Sequence, residues 1–284
     1  MLRLFMRFPG GFPKALTLSY DDGVEQDIRL MEILDKNGLK CTFNINGGVV
    51  VPEDKVYEPG TIHRRMSQPR MIELYKNSGH EVAVHAYTHP WLETLPTVAV
   101  AQEIIEDRKA LEAMFERPIR GMAYPMGTFS DAVVDVLKVA GIAYARTTQV
   151  TRNFKIPSDW LRLAATCKHT DPDLMNMAEK FVTRKADNHA QLFYLWGHSY
   201  EFEADDNWDV IERFAEYTGG KEDIWYATNI EIYDYIEAYN RLQWSADLSM
   251  VHNPSAISVW VKKAEHGSSK SVTAEIKPGE TFKF

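Results

Sequence analysis

Residues 15–45 read ALTLSYDDGVEQDIRLMEILDKNGLKCTFNI. The run Ala15–Tyr20 is short and apolar and stops at Asp21-Asp22-Gly23. That pattern predicts a buried strand running into a loop. From Val24 to Asn37 the residues Val24, Ile28, Met31 and Leu34 fall near helical spacing, and Gly38 supplies the stop. Cys41–Ile45 predicts the next strand.

The alternation continues outward. Helices are predicted over Gln68–Asn77, Val98–Glu116, Ser130–Ala140, Asp171–Arg184, Trp208–Tyr217 and Ile230–Leu242. Between them lie predicted strands over Glu81–His85, Ile119–Tyr124, Ile142–Arg146, Gln191–Trp196 and Ile224–Ala227. Strand and helix alternating over about 240 residues predict an α/β fold with a mainly parallel sheet covered by helices. An open doubly wound sheet and a barrel both satisfy this pattern. Near Gln243 the composition shifts to short β-prone segments: Ser245–Met250, Ala256–Val261, Ser271–Ile276 and Thr281–Phe284. They predict an antiparallel β extension of about 40 residues, too small for a core of its own. Trp244, Ile257, Val259 and Trp260 are too many apolar groups for a solvated tail, so the extension is expected to pack on the main domain. Its expected role is structural, with no metal ligand despite His252 and His266.

The chain has 284 residues, with 32 basic against 40 acidic and a formal net charge of -8. That balance, without a Lys/Arg cluster, argues against nucleic acid and against an anionic membrane surface. Arg3 and Arg7 interrupt the apolar N-terminus, so no signal-peptide core is expected there. No run of about 18 apolar residues marks a membrane span. Cys41 and Cys167 make no disulfide framework. A cytoplasmic location is the expectation, and the oligomeric state stays open.

Chemistry-bearing residues gather at predicted strand ends, where parallel α/β folds place their sites. Asp21 and Asp22 are adjacent carboxylates that repel unless something positive, such as a divalent cation, sits between them. An Asp-Gly pair also makes a plain solvated turn. His85 and His89 are four apart and can share one metal, or stand near the surface unrelated. His198 ends the strand closed by Trp196-Gly197; alone it reads equally as a satisfied structural histidine. Together, one carboxylate and two imidazoles make three ligands, a second carboxylate a base, and a further histidine an acid. That set suits metal-assisted hydrolysis of an acyl bond.

The order Ser19-Tyr20-Asp21-Asp22-Gly23, His85-Ala86-Tyr87-Thr88-His89, Ala123-Tyr124-Pro125-Met126-Gly127 and Trp196-Gly197-His198 resembles the polysaccharide deacetylases. These are the NodB-homology domain enzymes of carbohydrate esterase family 4, and the resemblance spans Ala15 to Leu242. It implies a distorted (β/α)7 barrel over residues 1–242, followed by the β-rich extension at 243–284. It implies Asp21 as general base, Asp22, His85 and His89 as metal ligands, the Met126 backbone N–H as oxyanion donor, and His198 as general acid. The implied cofactor is one divalent metal ion, with Zn²⁺ expected and Co²⁺, Ni²⁺ or Mn²⁺ as alternatives. Tyr87, Tyr124, Trp196 and Tyr200 are the expected substrate-binding residues, although aromatic side chains also simply fill cores.

Two positions depart from the family pattern. Ala123 stands where many members carry an Arg that orients the base, and Met126 stands where they carry an aromatic residue. Arg120, Arg146 and Arg162 are candidates for the missing Arg, and Asp159 for the Asp that supports the catalytic His. The implied activity is metal-dependent removal of N- or O-acetyl groups from an acetylated carbohydrate. The alternatives are an amidohydrolase acting on a small non-sugar amide and a catalytically silent sugar-binding protein. Binding alone needs neither a base nor an acid.

Overall fold

A computed structural model describes residues 2–186, 188–265 and 271–284. In chain order it runs β1 (Leu2–Arg7), β2 (Lys14–Asp21), α1 (Asp27–Lys36), β3 (Cys41–Ile45), α2 (Gln68–Tyr75), β4 (Glu81–Val84), α3 (Thr97–Phe115) and β5 (Gly121–Ala123). It continues with α4 (Asp131–Val139), β6 (Tyr144–Val150), β7 (Leu163–Ala165), β8 (Cys167–Lys168), α5 (Leu174–Thr183) and β9 (Gln191–Gly197). Then come α6 (Ser199–Ala204), α7 (Asp209–Thr218), β10 (Ile224–Tyr226) and α8 (Asn229–Asn240). The chain closes with β11 (Gln243–Trp244), β12 (Met250–His252), β13 (Val259–Glu265), β14 (Ser271–Ile276) and β15 (Thr281–Lys283).

The parallel strands pair in the order β7-β6-β5-β4-β3-β2-β9-β8, with β10 beside the start of β2. Only Thr166 separates β7 from β8, yet β7 pairs with β6 and β8 with β9. The single segment Leu163–Lys168 therefore joins both ends of the order and closes the sheet. Counted as one stave, it completes a (β/α)7 barrel. No sequence signal marked this segment, because it is short and polar Thr166 and Lys168 interrupt it.

Side chains alternate across a strand, and β2 shows what this does. Leu16, Leu18 and Tyr20 pack into the core shared with Leu30, Met31 and Leu34 of α1. Thr17, Ser19 and Asp21 make polar bonds instead, to Asn229, Asn44 and Arg146 respectively. The same alternation delivers Asp21 to the mouth at the C-terminal end of the strand. The helix expected from Val24 starts at Asp27, because Val24 is held in an antiparallel bridge with Arg65.

The N-terminus corrects the expected division at residue 242. β1 pairs antiparallel with β13, and β13 with β14, so the first strand belongs to the C-terminal sheet. A second small sheet has the order β11-β12-β15. The strand expected over Ser245–Met250 is a turn over most of its length. There Asp247 accepts bonds from the Ser245 hydroxyl and from the Ser249 N–H and hydroxyl, the usual way Asp diverts a backbone from pairing. Val251, Val259, Val261 and Ile276 are buried with Ile232, Tyr235 and Ile236 of α8. The Tyr235 hydroxyl donates to the Arg7 carbonyl and accepts from the Trp260 N–H, pinning helix, first strand and extension together. His252 Nδ1 lies 3.0 Å from Thr281 Oγ1; His266 lies outside the described residues.

A chain ending at Leu242 should therefore lose the partner of β1 and uncover Phe8, Ile232 and Tyr235. Exposed apolar patches of that kind cause association. The expected result is a lower melting temperature and precipitation during purification; a truncated chain equal to the full one in both would refute it. Among the described residues, no helix is long and apolar enough to cross a membrane. Cys41 and Cys167 are buried free thiols.

Candidate metal centre and active site

The site is built from strand ends. Asp21 closes β2 opposite Asn44 of β3. Asp22 follows with φ 87°, and its N–H donates to the Asn44 carbonyl at 2.9 Å. Asp is among the few residue types that accept a positive φ. The kink breaks the strand alternation that would send neighbouring side chains to opposite faces. Both carboxylates consequently approach His85 Nε2, Asp21 at 4.0 Å and Asp22 at 3.9 Å.

His85 follows β4 and is buried. Its Nδ1 lies 2.8 Å from the Ala123 carbonyl, which can only accept, so Nδ1 carries the proton and Nε2 keeps a lone pair free to ligate. Its backbone N–H is held by the Ile45 carbonyl at 3.1 Å and by Asp107 Oδ2 at 2.9 Å. His89 Nε2 lies 3.7 Å from Asp22 Oδ1. One donor atom each from Asp22, His85 and His89 lies within 4.8 Å of the others. Burial lowers the pKa of both imidazoles, that of His85 to about 4, so they stay neutral as metal ligands must. Burial would raise Asp22, but its bond to His63 and the Arg65 guanidinium hold it well below the usual carboxylate range. One ionised carboxylate and two neutral imidazoles fit a borderline divalent ion such as Zn²⁺.

Asp21 has a different setting. Burial pushes its carboxyl up, but the Arg146 guanidinium and the His198 imidazole overcome that and leave it below its ordinary value. Arg146 of β6 is 1% exposed and donates to Asp21 Oδ2, while Asn44 Nδ2 donates to Oδ1 at 2.8 Å. Arg146 is also the register partner of Ala123. An Arg absent from β5 is thus supplied by the adjacent position one strand over. Arg120 and Arg162 are engaged elsewhere, with Asp234 and with Asp131 and Asp159.

His198 Nε2 lies 3.8 Å from Asp21 Oδ2 on the far side of the mouth. Its Nδ1 lies 3.3 Å from Glu201 Oε1, one helical turn on. Glu201 is gripped in turn by Lys168 Nζ at 2.7 Å and His169 Nε2 at 3.1 Å. Burial would lower the His198 pKa, but Glu201 and Asp21 raise it overall. Glu201 therefore takes the place for which Asp159 was a candidate. Asp159 instead accepts from the Leu161 and Arg162 N–H groups and pairs with Arg162, away from the site. The signal for Glu201 was its i,i+3 spacing from His198 on a short helix.

The aromatic candidates divide. Tyr200 lies between His198 and His63, with ring centroids at 5.3 and 4.8 Å. Trp196 is buried under Arg146, whose guanidinium lies 4.6 Å from its ring, so it props the arginine rather than offering a free face. Tyr124 is 1% exposed, its hydroxyl donates to the Leu161 carbonyl and its ring stacks on Phe129. Its ring and hydroxyl are thus both engaged inside the protein. The half-buried Tyr87 packs so closely on Gly48 that a Cβ there would lie 2.7 Å from the ring. Met126 is 46% exposed with φ 57°, in the turn after β5. His63 and Arg65, both on Asp22, carried no sequence signal.

Residues 11–145 match the sequence profile of the polysaccharide deacetylase family. A chitooligosaccharide deacetylase from Sinorhizobium fredii is 26% identical over 159 residues, covering 55% of this chain and 66% of that protein. The chain spans less than two thirds of that relative and as little as 26% of another curated relative. A solved protein from Mycobacterium smegmatis assigned to the polysaccharide deacetylases superposes with a TM-score of 0.58 at 15% identity, over 82% of this chain and 93% of that one. A family 4 carbohydrate esterase from Streptomyces lividans, solved with acetate, gives 0.50 at 18% identity, over 75% and 91%. These two likenesses show the fold.

Proposed function

Because residues 11–145 match the polysaccharide deacetylase family, we propose that this chain is a metal-dependent deacetylase of an acetylated carbohydrate. It removes N- or O-linked acetyl groups from a sugar or oligosaccharide. One observation carries the reading: at one barrel mouth a three-donor cluster, an ionised buried carboxylate and an imidazole face one another.

Asp22, His85 and His89 would hold the divalent ion, which supplies Lewis acidity toward an acetyl oxygen and acidifies water. Asp21, kept ionised by Arg146, accepts the proton of the attacking water. Arg146 and Asn44 fix the carboxylate so that little reorganisation accompanies the transfer. His198 donates a proton to the departing amine or alkoxide, and Glu201 favours the protonated imidazole that this requires. The Met126 backbone N–H is the proposed donor to the tetrahedral oxyanion. Such a donor is typically worth about 3–4 kcal/mol. Tyr200 and Tyr87 are the proposed substrate contacts.

The test is acetate release from N- and O-acetylated sugars, before and after a chelator and after Zn²⁺, Co²⁺, Ni²⁺ or Mn²⁺ is restored. Loss on chelation and recovery on addition are expected. Activity should fall with acid as the ligand imidazole of His85 protonates at about 4 and as Asp21 protonates below its ordinary value. It should fall with base only above the ordinary imidazole value, where His198 loses its proton. Acetate release indifferent to chelator would sink the metal-dependent reading; release from small amides but not sugars would favour the amidohydrolase.

A further inference from the structure

The segment Thr61-Ile62-His63-Arg64-Arg65 crosses the mouth as a strap. The Glu25 N–H donates to the Arg64 carbonyl at 2.8 Å and the Met66 N–H to the Gly23 carbonyl at 3.1 Å. The strap is thereby laid antiparallel against the turn that carries Asp22. Arg64 ties it to α6 through both oxygens of Glu203, at 2.7 and 2.9 Å, and to Glu25 at 2.7 Å. Buried Gln26 joins the Ile62 carbonyl to Glu203 at 2.6 and 2.7 Å.

This scaffold aims Arg65 inward, at 14% exposure. Its Nη1 donates to the Asp22 carbonyl at 2.7 Å and to Asn46 Oδ1 at 2.6 Å. Its Nη2 donates to Asp22 Oδ1 at 3.0 Å. That oxygen is the one His85 Nε2 and His89 Nε2 approach, at 3.9 and 3.7 Å. A fixed guanidinium thus sits on the carboxylate oxygen that faces the two imidazoles.

We propose that Arg65 is a positioning residue that weakens the grip of Asp22 on a divalent ion and leaves that ion a stronger electrophile. The inference rests on the metal site proposed above. A permanent positive charge one contact from the ligating oxygen repels a dication. It also draws electron density from the donor, so less of the ion's charge is neutralised. An opposing effect exists: bonds to a ligating group orient it, and losing one typically costs about 10–100-fold in metal affinity. Here orientation has other keepers. His63 Nε2 lies 3.2 Å from Asp22 Oδ2, and the Asp22 N–H is held by the Asn44 carbonyl. The charge effect therefore dominates.

The test measures Zn²⁺ and Co²⁺ dissociation constants of the full chain by competition with a chromophoric chelator, together with kcat and KM. Arg65→Gln removes the charge and keeps a donor for Asp22; Arg65→Lys keeps the charge. Arg65→Gln should bind metal at least about tenfold tighter, while its kcat falls and KM changes little. Arg65→Lys should stay within about threefold of the parent in affinity. Equal or weaker metal binding in Arg65→Gln overturns the proposal and leaves Arg65 as an orienting strut. Arg65→Met is the alternative neutral variant if the Gln variant fails to fold, and failure of both assigns Arg65 a structural role and likewise overturns it. A parent chain that binds neither ion removes the underlying metal site as well, which separates the two failures.

Discussion

Asp21→Asn should keep its metal and lose turnover by about 10²–10⁴-fold, the usual cost of removing a general base. The amide has nearly the shape of the carboxylate but cannot accept the water's proton. The proposed ligands Asp22, His85 and His89 are untouched, so metal content should stay stoichiometric. The variant has a second expected signature. Arg146 is almost fully buried and would lose the carboxylate that neutralises it. Breaking a buried pair from one side typically costs about 3–5 kcal/mol. The stability loss should depend on pH with a fixed sign. The folded Asp21 carboxyl lies below its ordinary value. Its contribution is therefore full above the unfolded carboxylate pKa and is lost as pH falls through the lowered folded one. The gap between parent and Asp21→Asn should be widest near neutrality and close in acid. Replacing both partners, Asp21→Asn with Arg146→Met, should recover stability without recovering turnover. Metal analysis, melting curves and acetate release on these variants decide the matter. Near-normal turnover in Asp21→Asn would remove it as the base.

His85→Ala should release the metal and abolish chelator-sensitive activity altogether. His85 is one of the three proposed protein donors, and its ring is locked by the Ala123 carbonyl at 2.8 Å. With it gone, Asp22 and His89 remain as a two-donor remnant. Asp22→Asn should also weaken the metal, since a neutral amide is a poor replacement for an ionised carboxylate. The contrast between neighbours is the sharper measurement: Asp22→Asn loses metal and Asp21→Asn keeps it. A folded His85→Ala/His89→Ala chain that still holds one equivalent of metal at this mouth would show that these histidines are not its ligands. Circular dichroism and melting curves separate that outcome from unfolding, because removing a buried imidazole also forfeits packing worth about 1–3 kcal/mol.

What was legible in the sequence is what short-range chemistry decides. Asp21, Asp22, His85, His89 and His198 each sit where an apolar strand meets a turn. Strand periodicity and turn-forming residues act over a few positions, so the strand ends, and the groups placed on them, can be read locally. The alternation of strands and helices likewise carried the α/β class. The extension announced itself through its composition, although Asp247 turned the chain where a strand was expected.

The rest depends on which distant segments meet. Sequence periodicity could not choose between an open sheet and a barrel, because closure rests on Leu163–Lys168 pairing with β6 on one side and β9 on the other. Arg146 could not be preferred to Arg120 or Arg162 until strand register set it beside Ala123 and aimed it at Asp21. The N-terminal strand found its partner more than 250 residues away, in β13. Arg65 reaches Asp22 only because the strap is bolted to α6 by Arg64 and Glu203. Local sequence thus determined which chemical groups stand at the strand ends. Register and closure, set by packing and hydrogen bonding between segments far apart in the chain, decided which charges those groups face and so what state they are held in.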